Sequence, residues 1–175
     1  MFMAAKQHQQ HFEALLDQHR GIVFKVAGIY SRSVADREDL VQEISVQLWR
    51  SFARYDDRQA KFSTWMYRIA LNVAISQVRR SGSETGRVEP LQAHHLETVG
   101  GEAMPEPDER LTTLYAFIGQ LDPLNRALIL LYLEDRSYVE IAEILGISET
   151  NVATKISRIK QKLRGQMTAA ETMGV

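Results

Sequence analysis

Two stretches of this 175-residue chain carry side chains suited to holding nucleic acid. The first runs from Arg54 to Arg80. Arg54, Tyr55, Arg58, Lys61 and Phe62 form a polar, aromatic approach to Trp65, Arg68, Asn72, Ser76 and Arg79, which recur on one side of a predicted helix, with Arg80 beside them. Rings interleaved with cations suit single-stranded DNA, because a ring stacks on an unpaired base for about 1–3 kcal/mol while cations hold the backbone. Large aromatics equally build cores, so Phe62 and Trp65 have two possible uses. The second stretch is SYVEIAEILGISETNVATKISRIKQKLR, Ser137 to Arg164. It presents Ser148, Asn151, Thr154, Lys155, Arg158, Gln161 and Lys162 on one side, opposite the apolar Val152, Ile156, Ile159 and Leu163. A helix with amides and cations outside and a core stripe inside suits a DNA major groove.

A third set is acidic. Asp36, Asp39, Gln42, Glu43, Val46 and Arg50 fall on one helical face. Three uses compete: a solvated surface, a docking face for cationic partner helices, and a divalent-cation site in a nuclease. No histidine or further carboxylate is spaced to complete such a metal site. His8, His11, His19, His94 and His95 give no convergent set of three or four ligands, so the sequence predicts no metal and no catalytic residue. Gly-rich phosphate loops and nucleophile elbows are also absent, and no cofactor is expected.

Local signals place these residues on helices. Ser137 and Glu140 read as a capping box, Ile141, Ile144 and Leu145 as the stripe of a short helix, Gly146 as its left-handed stop and Ser148 as the cap of the next. Asp122 before Pro123 is another helix start, leading into Leu124, Ala127, Leu128 and Leu131. Leu111, Leu114, Tyr115, Ile118 and Leu121 mark a helix before it. In the first half, a helix is expected over about 8–30, resting on Phe12, Leu15, Leu16, Ile22, Val23, Val26 and Tyr30. A second is capped by Ser33 and Asp36 and runs to Phe52 on Leu40, Ile44, Leu48 and Phe52, with Val41 and Trp49 flanking. A third is capped by Ser63 and ends near Arg80, with Met66, Ile69, Ala70 and Val73 inward. Residues 81–108 hold four glycines and three of the four prolines and break every period, which predicts a flexible acidic linker. The fold expected is all-α: a first domain at 1–80, the linker, a second domain at 109–168, and a frayed tail at 169–175.

Composition is that of an ordinary globular protein, with 45% hydrophobic and 25% charged residues. The net charge of −1 conceals asymmetry: residues 1–80 carry twelve Lys and Arg against eight carboxylates, and residues 148–166 carry five against one. Local charge, rather than the average, meets phosphates. The absence of cysteine fits a reducing cytoplasm. No run of about 18 apolar residues could span a membrane, and the N-terminus turns polar too soon for a signal peptide.

With these regions in view, the chain resembles an extracytoplasmic-function (ECF, group IV) sigma factor of the sigma-70 family. DREDLVQEISVQLW at 36–49 is similar to the family's region 2.2, FSTWMYRIALNVAISQVRR at 62–80 to regions 2.3 and 2.4, and 121–164 to region 4. The linker standing in place of a folded region 3, and the missing region 1, favour the ECF group. The resemblance implies that Asp36, Glu38, Asp39, Gln42 and Glu43 dock on the clamp helices of the largest subunit of core RNA polymerase. It implies that Arg54 to Arg80 melts and reads the −10 promoter element, and that 149–164 reads the −35 duplex. It further implies cytoplasmic action at the nucleoid, an anti-sigma partner that could tether the protein, no small-molecule substrate and no catalysis. Ile44-Ser45, Ser76 and the run Asn151 to Lys155 depart from the family's usual residues, so the promoter sequence does not carry over. Two rivals remain at this point: a dimeric helix-turn-helix regulator with a sensing domain at 1–80, and a nuclease using the Asp36–Glu43 carboxylates.

Overall fold

The computed structural model describes residues 2–81 and 109–173. The linker expected at 81–108, with His94 and His95, lies outside them apart from Ser81. Every regular element among the described residues is a helix. Contacts divide the chain into two compact units, Met1–Gln77 and Val78–Val175.

In the first unit, α1 spans Phe2–Tyr30, α2 Val34–Phe52 and α3 Phe62–Arg80, the last turn of α3 passing the boundary at Gln77. α1 begins earlier than apolar periodicity indicates. Met3, Ala4, Ala5, Lys6 and Gln7 are strong helix formers without a stripe, so propensity extends the helix where the pattern is silent. Ser33 caps α2 from an extended backbone, its hydroxyl accepting from the Asp36 amide at 3.1 Å. Leu40, Ile44, Leu48 and Phe52 are all buried, as their spacing predicts. Phe12 near the start of α1 meets Trp49 and Phe52 at the end of α2, so the two helices run antiparallel.

α3 differs from expectation at its start and in its buried face. The Trp65 amide donates to the Lys61 carbonyl at 3.0 Å, so the first turn closes on Lys61 and Ser63 lies inside the helix rather than at its cap. Met66 and Ala70 are buried as expected, but their companions are Tyr67, Leu71 and Ala74, while Ile69 and Val73 are half-buried. The physical reason is the aromatic start of the helix. Phe62 packs against His19 of α1 and Phe52 of α2, which turns the 62–66–70–74 edge inward.

In the second unit, α4 spans Glu109–Gln120, α5 Pro123–Leu133, α6 Tyr138–Leu145 and α7 Glu149–Met173. α7 packs against the other three. Phe117, Ile118, Leu128, Leu131, Ile141, Val152 and Ile156 form the core. Each fully buried large aliphatic contributes about 1.5–3 kcal/mol, which outweighs the propensity of these short helices. Asp122 caps α5 by accepting from the Asn125 amide at 3.0 Å. Arg126, 7% exposed, donates to the carbonyls of Gly119 and Leu121 at 3.0 Å each and so closes the end of α4. Apolar periodicity gave no signal for that buried cation. α7 continues to Met173, into the stretch read from sequence as frayed. Ala169, Ala170, Glu171 and Met173 favour helix and no proline interrupts them.

Candidate nucleic-acid interface

The connection from α2 to α3 is built from backbone turns and side chains together. Arg54 and Tyr55 amides donate to the carbonyls of Ser51 and Phe52, which turns the chain away from α2. The Tyr55 hydroxyl then donates to the Ala60 carbonyl at 3.2 Å. Asp56 accepts from the Arg58 amide at 3.0 Å and from its guanidinium through two bonds of 2.9 Å, an Asx turn reinforced by an ion pair. The Arg58 hydrogen bonds hold the Asp56 carboxyl below its usual value and raise Arg58 above its own. Burial, followed by the charges of Asp57 and Asp56, pushes the Tyr55 phenol up, so it stays a neutral donor.

Around this connection stands a ring cluster. Tyr55 lies 5.0 Å from Trp65 and 5.4 Å from Phe62, and Phe62 lies 5.2 Å from Trp65. Phe52 and Phe62 are each 6% exposed, whereas Tyr55 and Trp65 are half-buried. Phe62 is therefore a core residue, because burial leaves it no face for a base. Tyr55 and Trp65 keep accessible edges. Arg54, Arg58 and Lys61 are exposed around them, Arg68 is half-buried, and Asn72, Ser76, Arg79 and Arg80 are exposed farther along α3.

On α2, Asp36, Glu38, Asp39, Gln42 and Glu43 are all exposed. Glu43 accepts from the Gln47 amide at 3.3 Å. Val46 and Trp49, 37% and 44% exposed, add apolar surface to this helix. Among the described residues, no group of three or more His, Cys, Asp or Glu is placed to hold a metal ion.

In the second unit α7 is positioned by caps. Ser137 and Glu140 exchange both bonds of the capping box, at 3.1 and 3.2 Å. Gly146 ends α6 at φ 68°, ψ 34°, and Ser148 accepts from the Asn151 amide at 3.1 Å to open α7. Val152, Ile156 and Ile159 are buried and Leu163 is half-buried. Ser148, Asn151, Thr154, Arg158, Gln161 and Lys162 are exposed, and Lys155 is half-buried. The Thr154 hydroxyl donates to the Thr150 carbonyl at 3.0 Å. Lys160 points elsewhere: its ammonium donates to the Tyr132 hydroxyl at 3.2 Å and ties α7 to α5. No helix among the described residues is long and apolar enough to cross a membrane.

Comparison with known proteins agrees with this division. The family model for Sigma-70 region 2 matches residues 15–84, and that for Sigma-70, region 4 matches residues 111–163. The ECF RNA polymerase sigma factor SigE of Mycolicibacterium smegmatis is 33% identical over 87% of the chain, which spans 60% of that relative's length. The ECF RNA polymerase sigma-E factor of Haemophilus influenzae is 32% identical, with 82% of each chain covered. Among solved structures, the sigma factor RpoE in complex with the anti-sigma factor NepR from Bartonella quintana shares the fold, with a TM-score of 0.65 at 21% identity, covering 93% of this chain and 98% of the other.

Proposed function

The chain belongs to the sigma-70 family, in its ECF group, and we propose that it directs core RNA polymerase to promoters by reading one element as duplex and another as single strand. The observation that carries this is the presence in one chain of a capped helix-turn-helix with an exposed amide and cationic face and a separate ring cluster edged with arginines. The first matches what a groove requires, the second what an unpaired base requires.

In this reading residues 1–80 dock on polymerase and read the −10 element, residues 81–108 connect, and residues 109–168 read the −35 element. Asp36, Glu38, Asp39, Gln42 and Glu43 meet cationic clamp helices, with Val46 and Trp49 adding apolar area. Tyr55 and Trp65 stack on unpaired bases, held in place by Phe52 and Phe62, while Arg54, Arg58, Lys61, Arg68, Arg79 and Arg80 hold the backbone and Asn72 offers an amide. Ser148, Asn151, Thr154, Lys155, Arg158, Gln161 and Lys162 meet the duplex. Its phosphate contacts position the domain, and a few side chains specify bases. Each reader alone binds weakly. Mounted together on polymerase they act at high effective concentration, so their affinities multiply. The chain performs no catalysis itself, acts in the cytoplasm at the nucleoid, and is held inactive by an anti-sigma partner; the RpoE structure of the same fold is a complex with the anti-sigma factor NepR.

Transcription from a genomic DNA library by core polymerase, with and without the chain, tests the proposal. Starts at discrete sites only when the chain is present are expected, and Asp39→Arg should abolish them together with polymerase retention in a pull-down. Cleavage of DNA in magnesium or manganese, or operator binding as a dimer without polymerase, would favour the rivals instead.

A further inference from the structure

A cleft of about 1010 Å3 opens between the first turns of α1 and the connection leaving α2. One wall carries His8 and His11, the other Arg54, Tyr55 and Arg58, with Phe52 between them. Both imidazoles rest on the Phe52 ring, at centroid distances of 4.8 Å for His8 and 5.8 Å for His11, and His8 lies 5.9 Å from Trp49. Their spacing puts both on one side of α1, and both side chains remain exposed. As a metal pair they are incomplete. The fold sets them facing the ring and arginine surface assigned above to the unpaired strand.

Charge decides what this cleft can hold. With neutral imidazoles the fixed charges on its walls cancel, Arg54 and Arg58 against Asp56 and Asp57. Arg58 is also forked onto Asp56. The pull of these two arginines on a phosphate is then partly offset by their carboxylate neighbours, and added positive charge strengthens it. Protonating both imidazoles adds two positive charges beside Tyr55, a ring assigned above to an unpaired base. Imidazole is the side chain that ordinarily changes charge between about pH 5 and 8. A cation over an aromatic face, such as that of Phe52 or Trp49, is electrostatically favoured. The groups facing the pair are Arg54, Tyr55, Asp56, Asp57 and Arg58 of the connection and the two rings of α2.

We infer that His8 and His11 are pH-dependent contacts for the backbone of single-stranded DNA, extending the strand-reading surface across the cleft onto α1. The inference rests on the strand-reading role proposed for the connection, and the test separates the two. The full chain is titrated with end-labelled oligothymidine, whose bases do not protonate in the range used, at about pH 6 and about pH 8. Wild type is expected to bind about five- to tenfold tighter at the lower pH. The pair His8→Gln and His11→Gln should show less than about a twofold difference, and His8→Lys with His11→Lys should bind tightly at both values. Far-UV circular dichroism matching wild type shows that each variant is folded. A glutamine pair that keeps the wild-type pH dependence, or a lysine pair that keeps it, overturns the inference. Arg54→Ala with Arg58→Ala addresses the underlying role: wild-type affinity at both pH values would sink the strand-reading surface itself, whereas loss at both leaves it standing and the histidines judged by their own variants.

Discussion

The two regions proposed to meet DNA hold their shape by different means. α6 and α7 are set by the backbone: the Ser137–Glu140 capping box, the left-handed Gly146 and the Ser148 cap fix where each helix begins and ends. Apart from Ser148, which caps α7, and Thr154, which is bonded to the Thr150 carbonyl, the contact side chains proposed there leave the anchoring of the helix to the buried Val152, Ile156 and Ile159. The connection into α3 has backbone bonds of its own, from the amides of Arg54, Tyr55, Gln59 and Ala60, and side chains complete it. Tyr55, Phe62 and Trp65 hold one another, and the Asp56–Arg58 fork fixes the turn. A duplex has a groove of set geometry, so a rigid preset helix suits it. An unpaired strand has none, so rings must be held in place for it, and the residues that hold them are inseparable from the reader.

That contrast can be broken at several points. Phe62→Ala should cost about 3–5 kcal/mol, because it removes a buried ring from the shared cluster. Both tryptophans, Trp49 and Trp65, lie in the first unit, so urea unfolding followed by their fluorescence reads this loss directly. A cost below about 1 kcal/mol would show that the cluster is not interdependent. Lys155→Ala and Arg158→Ala should each weaken duplex binding by about 1–3 kcal/mol if the side chain reads a base, or reduce the salt slope by about 1 if it holds phosphate. Their circular dichroism melting should be unchanged, and a lowered melting temperature would contradict the separation of contact from support. Gly146→Ala should cost about 1 kcal/mol in thermal melting. A Cβ there meets nothing within 4 Å, so the cost comes from the positive φ alone.

The smallest effect concerns Asp56. Its carboxyl is held below the usual value, so the fork contributes above the unfolded carboxylate range and is lost only as pH falls through the depressed folded value, below about 4. In the chain carrying His8→Gln and His11→Gln, so that no imidazole faces it across the cleft, the Arg58 side-chain NMR signal should therefore stay constant from neutrality to about pH 5. Asp56→Asn should reproduce the acid spectrum at neutral pH. A change in that signal near neutrality would rule out the fork as the dominant partner.

The second unit was the more legible in sequence because caps set where its helices begin and end. Caps and left-handed glycines are local signals, and Ser137, Glu140, Gly146, Ser148 and Asp122 stand where local rules place them. The first unit depends on contacts distant in sequence. Ser63 satisfied the rule for a cap, but Phe62 reaching Phe52 and His19 carries the helix start back to Lys61. The same packing turns Tyr67 and Leu71 inward and removes Phe62 from any surface role. Arg126 was invisible because a buried cation breaks the apolar pattern, and its partners are carbonyls, which a sequence does not display. His8 and His11 had the right spacing for one face but no visible companions until the connection folded across from them.

The central claim is that one chain carries two separable promoter readers. It is tested most directly by mapping transcript starts genome-wide with core polymerase and wild type, Arg158→Ala or Trp65→Ala. Starts by wild type should be preceded by two sequence elements at a constant spacing. Arg158→Ala should relax the upstream element alone, and Trp65→Ala should impair opening at the downstream element alone. Starts that share no such elements, or variants that alter both elements alike, would contradict it.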